Sequence, residues 1–227
     1  MAGPAIALRR LVVLAVAAGL GAGVFAALPA AAGLDCSDER AVAKVPLHEG
    51  GGAAEAGTFA NPWINRHHVY CGDINRRGKA VGFHYRQGGS DPLTGPGNNN
   101  PAAARITGAI RPEAGEPGWR IYRGEGIEIW SGERRGYVRK NGFSTFFPDN
   151  CTPDEVMASI RHAVAHASRT PPKGGGRFHG QSGPSSLPPG YCYRRDAGEN
   201  RPVAFRISGF LNNLCGAGWT INTAYPD

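Results

Sequence analysis

The sequence predicts an α+β protein made of two small lobes. Short alternating or apolar runs, bounded by glycine, proline or charge, fill residues 104–140 and indicate antiparallel strands. One helical pattern begins at residue 152, and a stretch dense in Gly, Pro and Ser then separates it from three further strand-like runs. Strands, a helix, a loop and more strands, in that order, predict an α+β architecture.

The first residues have the composition of an export signal. Arg9 and Arg10 precede an apolar run over residues 11–28, and alanines at 30–32 supply the small residues that signal peptidase requires. We therefore predict a signal peptide over residues 1–33 and a secreted or extracytoplasmic mature protein with no membrane partner. The apolar run is also long enough to span a bilayer, so an uncleaved anchor is the alternative.

The rest of the chain, about 195 residues, is long enough for one sizeable domain or two small lobes. Residues 34–60 contain three consecutive glycines and little periodicity, so they are predicted to form an N-terminal extension that wraps the domain. The domain itself is predicted over residues 61–227, with a first lobe at about 61–170, a Gly/Pro-rich loop at 171–189 and a second lobe at 190–227.

The first lobe is predicted to consist mainly of strands. Residues 88–101, rich in Pro, Gly and Asn, form an exposed loop before them. The strands are predicted at residues 104–110, 119–122, 126–130 and 136–140.

The clearest helix signal begins at Thr152. Thr152 is an N-cap residue, Pro153 suits the first helical position, and Glu155 completes a capping box. His162 and His166 stand four apart on this helix, but without a third ligand they are better interpreted as surface or partly packed residues. Apolar residues at helical spacing predict one buried stripe, made of Val156, Met157, Ile160, Ala163, Val164 and Ala167.

The second lobe is predicted to follow a linker or mobile loop at residues 170–189, which is dense in Gly, Pro and Ser. Arg177 and His179 lie in that stretch and are interpreted as solvated loop residues; the alternative is that they contact a ligand. Strands are then predicted at residues 190–193, 203–209 and 219–225.

Two histidines sixteen positions apart, His68 and His84, are the main functional signal. Histidine can be neutral in one copy and protonated in another near neutral pH, so a pair can serve as base and acid in one reaction. Cleavage of RNA by its own 2′-hydroxyl needs that division of labour, together with a cation that stabilises the charge on the phosphoryl oxygens. The net charge of +7 suits such a polyanion, although a basic exported protein with a solvated charged face would show it too.

Three motifs give these histidines a context. The first is His68-x-x-x-Gly-Asp-Ile-Asn, followed by Arg-Arg-Gly-Lys and then Gly-Phe-His84; the others are Ser144-Thr-Phe-Phe-Pro and the terminal Thr223-x-Tyr225-Pro. In content and order these motifs resemble the bacterial branch of the EndoU endoribonuclease family, over roughly residues 61–227. The resemblance implies paired antiparallel sheets with the active site in the groove between them.

The resemblance also implies the catalytic residues. His68 and His84 match the two catalytic histidines, and we expect His84 to be the base and His68 the acid. The neighbouring His67 is the rival of His68, but only His68 has the His-x-x-x-Gly-Asp spacing. Lys140, which precedes Ser144 in Lys-x-x-x-Ser, matches the family's lysine; the alternative is that Arg105 or Arg139 supplies the cation.

The substrate-binding residues implied by the resemblance are Ser144, Thr223 and Tyr225. Ser144 would contact the pyrimidine edge, and Thr223 would help to orient the site. The Tyr225 ring would pack on the base or ribose, and such stacking on an unpaired base is worth about 1–3 kcal/mol.

The five cysteines, in an exported chain, predict two disulfides with one cysteine left over. Cys192 and Cys215 flank consecutive predicted strands, so this pair is favoured, although the sequence does not determine connectivity. Cys71 lies inside the histidine motif, where a disulfide could pin the active-site loop. The spacings do not indicate a zinc site.

The sequence thus predicts an exported, metal-independent endoribonuclease, possessing no cofactor, that acts on single-stranded RNA. The resemblance implies that it cuts at uridine and leaves a 2′,3′-cyclic phosphate and a 5′-hydroxyl. Its expected role is that of a toxin or of a scavenger of extracellular RNA. We also expect a monomer, and an inhibitor or immunity protein as a possible partner. The alternative is a non-catalytic exported module on the same fold that binds polyanions or the envelope. A pure binder has no reason to carry His68, His84, Lys140, Thr223 and Tyr225 together.

Overall fold

The structure is a computed structural model that describes residues 33–49, 56–96, 99–113, 115–168, 175–198, 201–214 and 218–227. The predicted signal peptide, apart from Gly33, lies outside the described residues, and so does Cys215. Within these ranges no helix is long and apolar enough to cross a membrane.

The fold is α+β, as the sequence predicts, with several small antiparallel sheets and few helices. The described helices are α1 (Glu39–Val42), α2 (Arg66–Tyr70) and α3 (Pro153–Ala165). The described strands are β1 (Val45–Pro46), β2 (Trp63–Ile64), β3 (Asp73–Ile74), β4 (Ala80–Val81), β5 (Ala104–Ile106), β6 (Ile110–Pro112), β7 (Tyr122–Glu125), β8 (Ile127–Ser131), β9 (Gly136–Arg139), β10 (Phe143–Phe146), β11 (Gly176–Gln181), β12 (Arg194–Arg195), β13 (Pro202–Val203), β14 (Arg206–Leu214) and β15 (Gly218–Pro226).

The largest sheet has the order β1-β2-β15-β14-β11, in which only the β2–β15 pair is parallel. Helix α3 packs against β11 and β14. Its Thr152 capping box and Pro153 are present as predicted, and the buried stripe is confirmed at Val156, Met157, Ile160 and Ala163. The other two stripe residues are partly buried and pack against the same core.

The smaller sheets have the orders β10-β7-β6, β5-β8-β9, β3-β4 and β12-β13. A second apolar core joins several of them, and its most deeply buried members include Phe83, Ile127 and Phe146. The Phe83 ring packs edge-on against Phe146, with ring centroids 5.0 Å apart. The protein therefore has two hydrophobic cores, one under the large sheet and one among the small sheets.

The loop predicted at residues 171–189 is wrong in part, because β11 lies inside it. Phe178 on this strand is fully buried in the core under α3. Gly180 allows the helix to approach, since a Cβ at this position would lie 1.9 Å from the carbonyl oxygen of Ala163. Glycine here serves close helix–sheet packing instead of flexibility.

Two further differences concern the second lobe. The strand predicted at residues 190–193 is absent, and the next strand begins at Arg194. The large sheet also takes β1 and β2 from residues that precede the histidine motif, so its strands do not come only from the C-terminal region. Parallel pairing of β2 with β15 brings the start of the domain beside its end.

Two disulfides join Cys36 to Cys71 and Cys151 to Cys192. Their number within the described residues agrees with the prediction, but the favoured Cys192–Cys215 pair is wrong. The backbone N–H of Cys192 donates to the Ser159 hydroxyl on α3 at 2.8 Å, which holds Cys192 beside the helix that follows Cys151. The other disulfide fixes Cys71, the C-cap of α2, and this helix carries His68.

Candidate active site

A cavity of about 610 Å³ lies between the small sheets and the large sheet. The small-sheet side contributes residues around β4 and β10, and the large-sheet side contributes β11, β14 and β15. The six residues that the sequence analysis selected all line this one cavity: His68, His84, Lys140, Ser144, Thr223 and Tyr225.

His68 is held by its helix and by a carboxylate. The Asn65 side chain caps α2 by accepting the backbone N–H of His68 at 3.2 Å. The imidazole is 5% exposed, and its Nδ1 donates to Asp73 Oδ2 at 2.8 Å. This bond fixes the orientation of the ring and leaves Nε2 to exchange a proton with a ligand.

Asp73 binds two imidazoles at once, because its other oxygen accepts a 2.9 Å bond from His67 Nδ1. Burial alone would raise the pKa of Asp73, but the bonds from His67 and His68 outweigh it and hold the pKa well below the usual range. The group is therefore a carboxylate at neutral pH, and it accepts a hydrogen bond from each imidazole. The His67 side chain is 41% exposed and lines a different, smaller cavity together with Cys36. This position distinguishes His67 from His68, which lines the larger cavity.

His84 has the opposite environment. Its Nδ1 donates to the carbonyl oxygen of Thr145 at 3.0 Å, and the residue is 7% exposed. Burial lowers the pKa of His84 well below its usual value, and the charge of Lys140 adds to this, against the bond to Thr145. A neutral imidazole that donates through Nδ1 has a lone pair on Nε2, which is what a general base requires.

The turn before His84 ties the two histidines together. Phe83 N donates to His68 O at 2.9 Å, and His84 N donates to Val69 O at 2.7 Å. Gly82 has φ of 76°, and a Cβ there would lie 2.2 Å from His68 O. Only glycine fits this close approach.

Lys140 contributes the cation. It follows β9, and its Nζ donates to Gly82 O at 2.8 Å and to Ser144 Oγ at 2.6 Å. Burial lowers the pKa of Lys140 to about 8, so it still carries a positive charge at neutral pH. Both oxygen acceptors are uncharged, which leaves that charge available to a ligand.

The two arginines considered as alternatives do not line the cavity. Arg105 pairs with Glu128 at 2.7 Å, and its guanidinium lies 3.7 Å above the Tyr137 ring. Arg139 is exposed on β9. Of the three candidates, Lys140 alone has the position that a transition-state cation needs.

The large sheet supplies the aromatic wall. The Tyr225 ring stacks on the His84 imidazole, with centroids 5.3 Å apart and planes 27° from parallel. Arg177 donates to the Tyr225 hydroxyl at 2.8 Å. Its side chain is exposed as predicted, but the residue lies on β11, so its interpretation as a loop residue is wrong. Thr223 lies opposite Phe210 on the neighbouring strand.

Sequence reasoning missed several lining residues, among them Phe143 and Phe210. Both phenylalanines are partly exposed at the cavity, at 44% and 38%. The alternation in Gly-Arg-Phe-His-Gly-Gln is the signal that could have placed Arg177 on a strand. No comparable signal marks the phenylalanines, since a strand with aromatic residues is ordinarily interpreted as core.

The cavity thus combines a buried neutral imidazole, a second imidazole bonded to a carboxylate, and an ammonium, which are groups that can serve in acid–base catalysis and charge stabilisation. The family model described as Bacterial EndoU nuclease matches residues 64–227, and the chain belongs to this family. Family membership indicates an endoribonuclease with RNA as its substrate. Comparisons with curated proteins and with solved structures gave no match.

Among the described residues there is no group of three or more His, Cys, Asp or Glu side chains placed to hold a metal ion.

Proposed function

We propose that the protein cleaves single-stranded RNA by attack of the 2′-hydroxyl on the adjacent phosphorus. The observation that carries this proposal is the contrast between the two histidines in one cavity. His84 is buried beside a cation and is neutral, whereas His68 donates through Nδ1 to the Asp73 carboxylate. We therefore assign His84 as the base and His68 as the acid.

The proposed reaction assigns one proton transfer to each histidine. His84 Nε2 takes the proton of the 2′-hydroxyl as the bond from O2′ to phosphorus forms. The bond from phosphorus to O5′ breaks, and His68 gives its proton to that oxygen. The products are a 2′,3′-cyclic phosphate and a 5′-hydroxyl, with no net gain or loss of protons by the enzyme once the two imidazoles re-equilibrate.

Lys140 would stabilise the charge that grows on the non-bridging phosphoryl oxygens. Its ammonium already donates to two neutral oxygens, and an incoming phosphate is a stronger acceptor than either. Because this interaction strengthens as the charge grows, it should act mainly on kcat. The mechanism requires no metal, and cleavage should persist in EDTA.

We propose that the large-sheet wall binds the RNA base together with Ser144, which lies on β10 of a small sheet. The Tyr225 hydroxyl accepts a hydrogen bond from Arg177, and the Tyr225 ring stacks on the His84 imidazole, so the ring is fixed in position to stack on an RNA base. Ser144 is almost fully buried at the cavity and would contact the pyrimidine edge, with Thr223 orienting the ribose. We propose uridine as the preferred base on the strength of the family resemblance.

We further propose export, with residues 1–33 removed as a signal peptide. The two disulfides support this location, because such bonds persist in oxidising compartments. We propose that the exported enzyme acts as a toxin against another cell, in which case the producer needs an inhibitor or immunity protein, or as a scavenger of extracellular RNA. We expect the mature protein to be a monomer.

The decisive experiment uses purified protein and a fluorescent oligonucleotide with a single uridine. His68→Ala and His84→Ala should each reduce the rate by about 100-fold or more. His166→Ala, an exposed histidine on α3, is the matched control and should leave the rate unchanged. Near-normal rates in both active-site variants would refute the mechanism.

The substrate itself provides the second control. Replacing the ribose of the uridine by 2′-deoxyribose should abolish cleavage and spare binding, because the nucleophile is gone. Mass spectrometry should detect the cyclic phosphate. Binding without cleavage of the ribose substrate would instead favour the polyanion-binding module, which the positive charge of the chain also permits.

A further inference from the structure

A second cavity, of about 690 Å³, adjoins the candidate active site. Asn75 lines both cavities, so the two are neighbours at this residue. The second cavity lies between two hairpin turns. One turn joins β3 to β4 over residues 75–79, and the other joins β8 to β9 over residues 132–135.

Hydrogen bonds inside the first turn fix its shape. The Asn75 side-chain oxygen accepts the backbone N–H groups of Arg77 at 2.9 Å and Lys79 at 3.1 Å, and Gly78 N donates to Asn75 O at 2.8 Å. The second turn comes so close that a Cβ at Gly78 would lie 2.5 Å from the Arg134 guanidinium. The cationic tips of the two turns therefore meet at one place.

The charges at this cavity are unbalanced. Arg76, Arg77 and Arg134 line it together with one acid, Glu133. All three arginines are exposed, and none forms an ion pair within the described ranges. Some other exposed arginines are paired, as Arg111 is with Glu125 at 3.1 Å. Three guanidinium groups held together repel one another, and a bound phosphate relieves that repulsion through paired hydrogen bonds.

An aromatic residue lies beside these cations. Trp130 is partly exposed and lines the same cavity, and its ring contacts Tyr137 edge-on at 5.2 Å. Proteins that hold single-stranded nucleic acid combine a cationic track for the backbone with aromatic rings for the bases. Cations and an aromatic ring beside a nuclease site match a nucleic-acid strand better than they match a peptide or a lipid surface.

We propose that this second cavity, the arginine cavity, binds the RNA strand that flanks the cleaved nucleotide. Its three arginines would hold a flanking phosphodiester, and Trp130 would stack on a flanking base. The proposal rests on the proposed function and extends it, because it makes the enzyme select longer strands over a minimal dinucleotide.

The test compares a uridine-containing dinucleotide with a decamer that has one uridine at its centre. The variant is Arg76→Ala/Arg134→Ala, which changes two exposed side chains. Its KM for the decamer should rise about tenfold or more, and kinetics on the dinucleotide should not change. Loss of two phosphate contacts should also reduce the slope of log Kd against log salt by about 1.4 for the decamer.

The control is Arg40→Ala/Lys44→Ala, which removes the same charge from exposed positions that line neither cavity. If this control weakens decamer binding as much as the test variant, or if the test variant affects dinucleotide and decamer equally, the arginine cavity is not a strand-binding site.

Binding of a non-cleavable 2′-deoxyuridine decamer separates this proposal from the proposed function. A wild-type protein that cuts nothing refutes the catalytic mechanism, yet anisotropy titrations with this decamer still measure the arginine cavity. The proposal expects about tenfold weaker binding in the test variant, and unchanged binding overturns it.

Discussion

Ser144→Ala should move the alkaline limb of the pH–rate profile to lower pH. Lys140 must be protonated to stabilise the transition state, and burial lowers its pKa to about 8. Activity should therefore fall as the pH rises through about 8. The Ser144 hydroxyl favours the charged form by accepting from the ammonium, so its removal should lower the pKa of Lys140 further.

The size of this effect follows from the geometry. The distance from Lys140 Nζ to Ser144 Oγ is 2.6 Å, and hydrogen bonds to charged groups are worth about 1.5–3 kcal/mol. One pKa unit corresponds to about 1.36 kcal/mol, so complete loss would move the limb by about one to two pH units. Gly82 O remains as an acceptor at 2.8 Å, which favours the lower figure of about one unit.

The assay is kcat/KM for a uridine oligonucleotide across the acidic, neutral and alkaline range. Ser182→Ala is the matched control, because it removes another fully buried serine hydroxyl, one that accepts from Phe205 N at 3.2 Å. Lys140→Arg should remove the limb that belongs to this residue, since a guanidinium stays charged. An alkaline limb at the same pH in wild type and Ser144→Ala would refute this reasoning.

The acid limb serves as an internal reference. The pKa of His84 lies well below its usual value because of burial first and the charge of Lys140 second. At acid pH the Lys140 ammonium is charged with or without Ser144, so Ser144→Ala should leave the acid limb in place. Movement of both limbs together would indicate a general change of the site instead of a change at Lys140.

Two further predictions test the turn and the aromatic wall. Gly82→Ala should unfold at a clearly lower temperature than Gly142→Ala and lose cleavage. Both glycines have positive φ, so an alanine at either position costs about 1–2 kcal/mol, but only at Gly82 would the Cβ also meet His68 O. Equal melting temperatures of the two variants would contradict this. Tyr225→Ala should raise KM about tenfold and weaken the preference for uridine over cytidine, because the stacking surface is lost. Tyr225→Phe should lose only the hydrogen bond from Arg177 and keep most of the affinity. Steady-state kinetics on uridine and cytidine oligonucleotides would measure both effects.

Local signals predicted the parts of the fold that local interactions determine. Helix α3 starts where Thr152, Pro153 and Glu155 indicate, because its cap is formed within four residues. The motif residues of the candidate site also lie together, which the family resemblance implied and no single stretch of sequence could demonstrate. Their convergence requires strands β4, β10 and β15, which are far apart along the chain.

Features that depend on distant contacts were missed. Strand β11 is rich in glycine and looks like a loop until α3 packs on it, with Gly180 against Ala163. Cys192 pairs with Cys151 because the Ser159 hydroxyl holds it beside α3, and nothing in the cysteine spacing reports that contact. The sequence motif contains Asp73, but its hydrogen bonds to two imidazoles depend on how α2 packs against β3, which the motif does not report.

The proposed catalytic base depends on the docking of the two sheets. His84 belongs to the small-sheet side, yet its imidazole is covered by Tyr225 from β15. The same contact region includes a hydrogen bond from the Thr145 hydroxyl to Pro226 O, while Thr145 O accepts from His84 itself. Since burial is the largest cause of the lowered pKa of His84, any opening of β15 would hydrate the imidazole and return its pKa toward the ordinary value. The residue proposed to stack on the substrate base would therefore also keep the proposed catalytic base neutral.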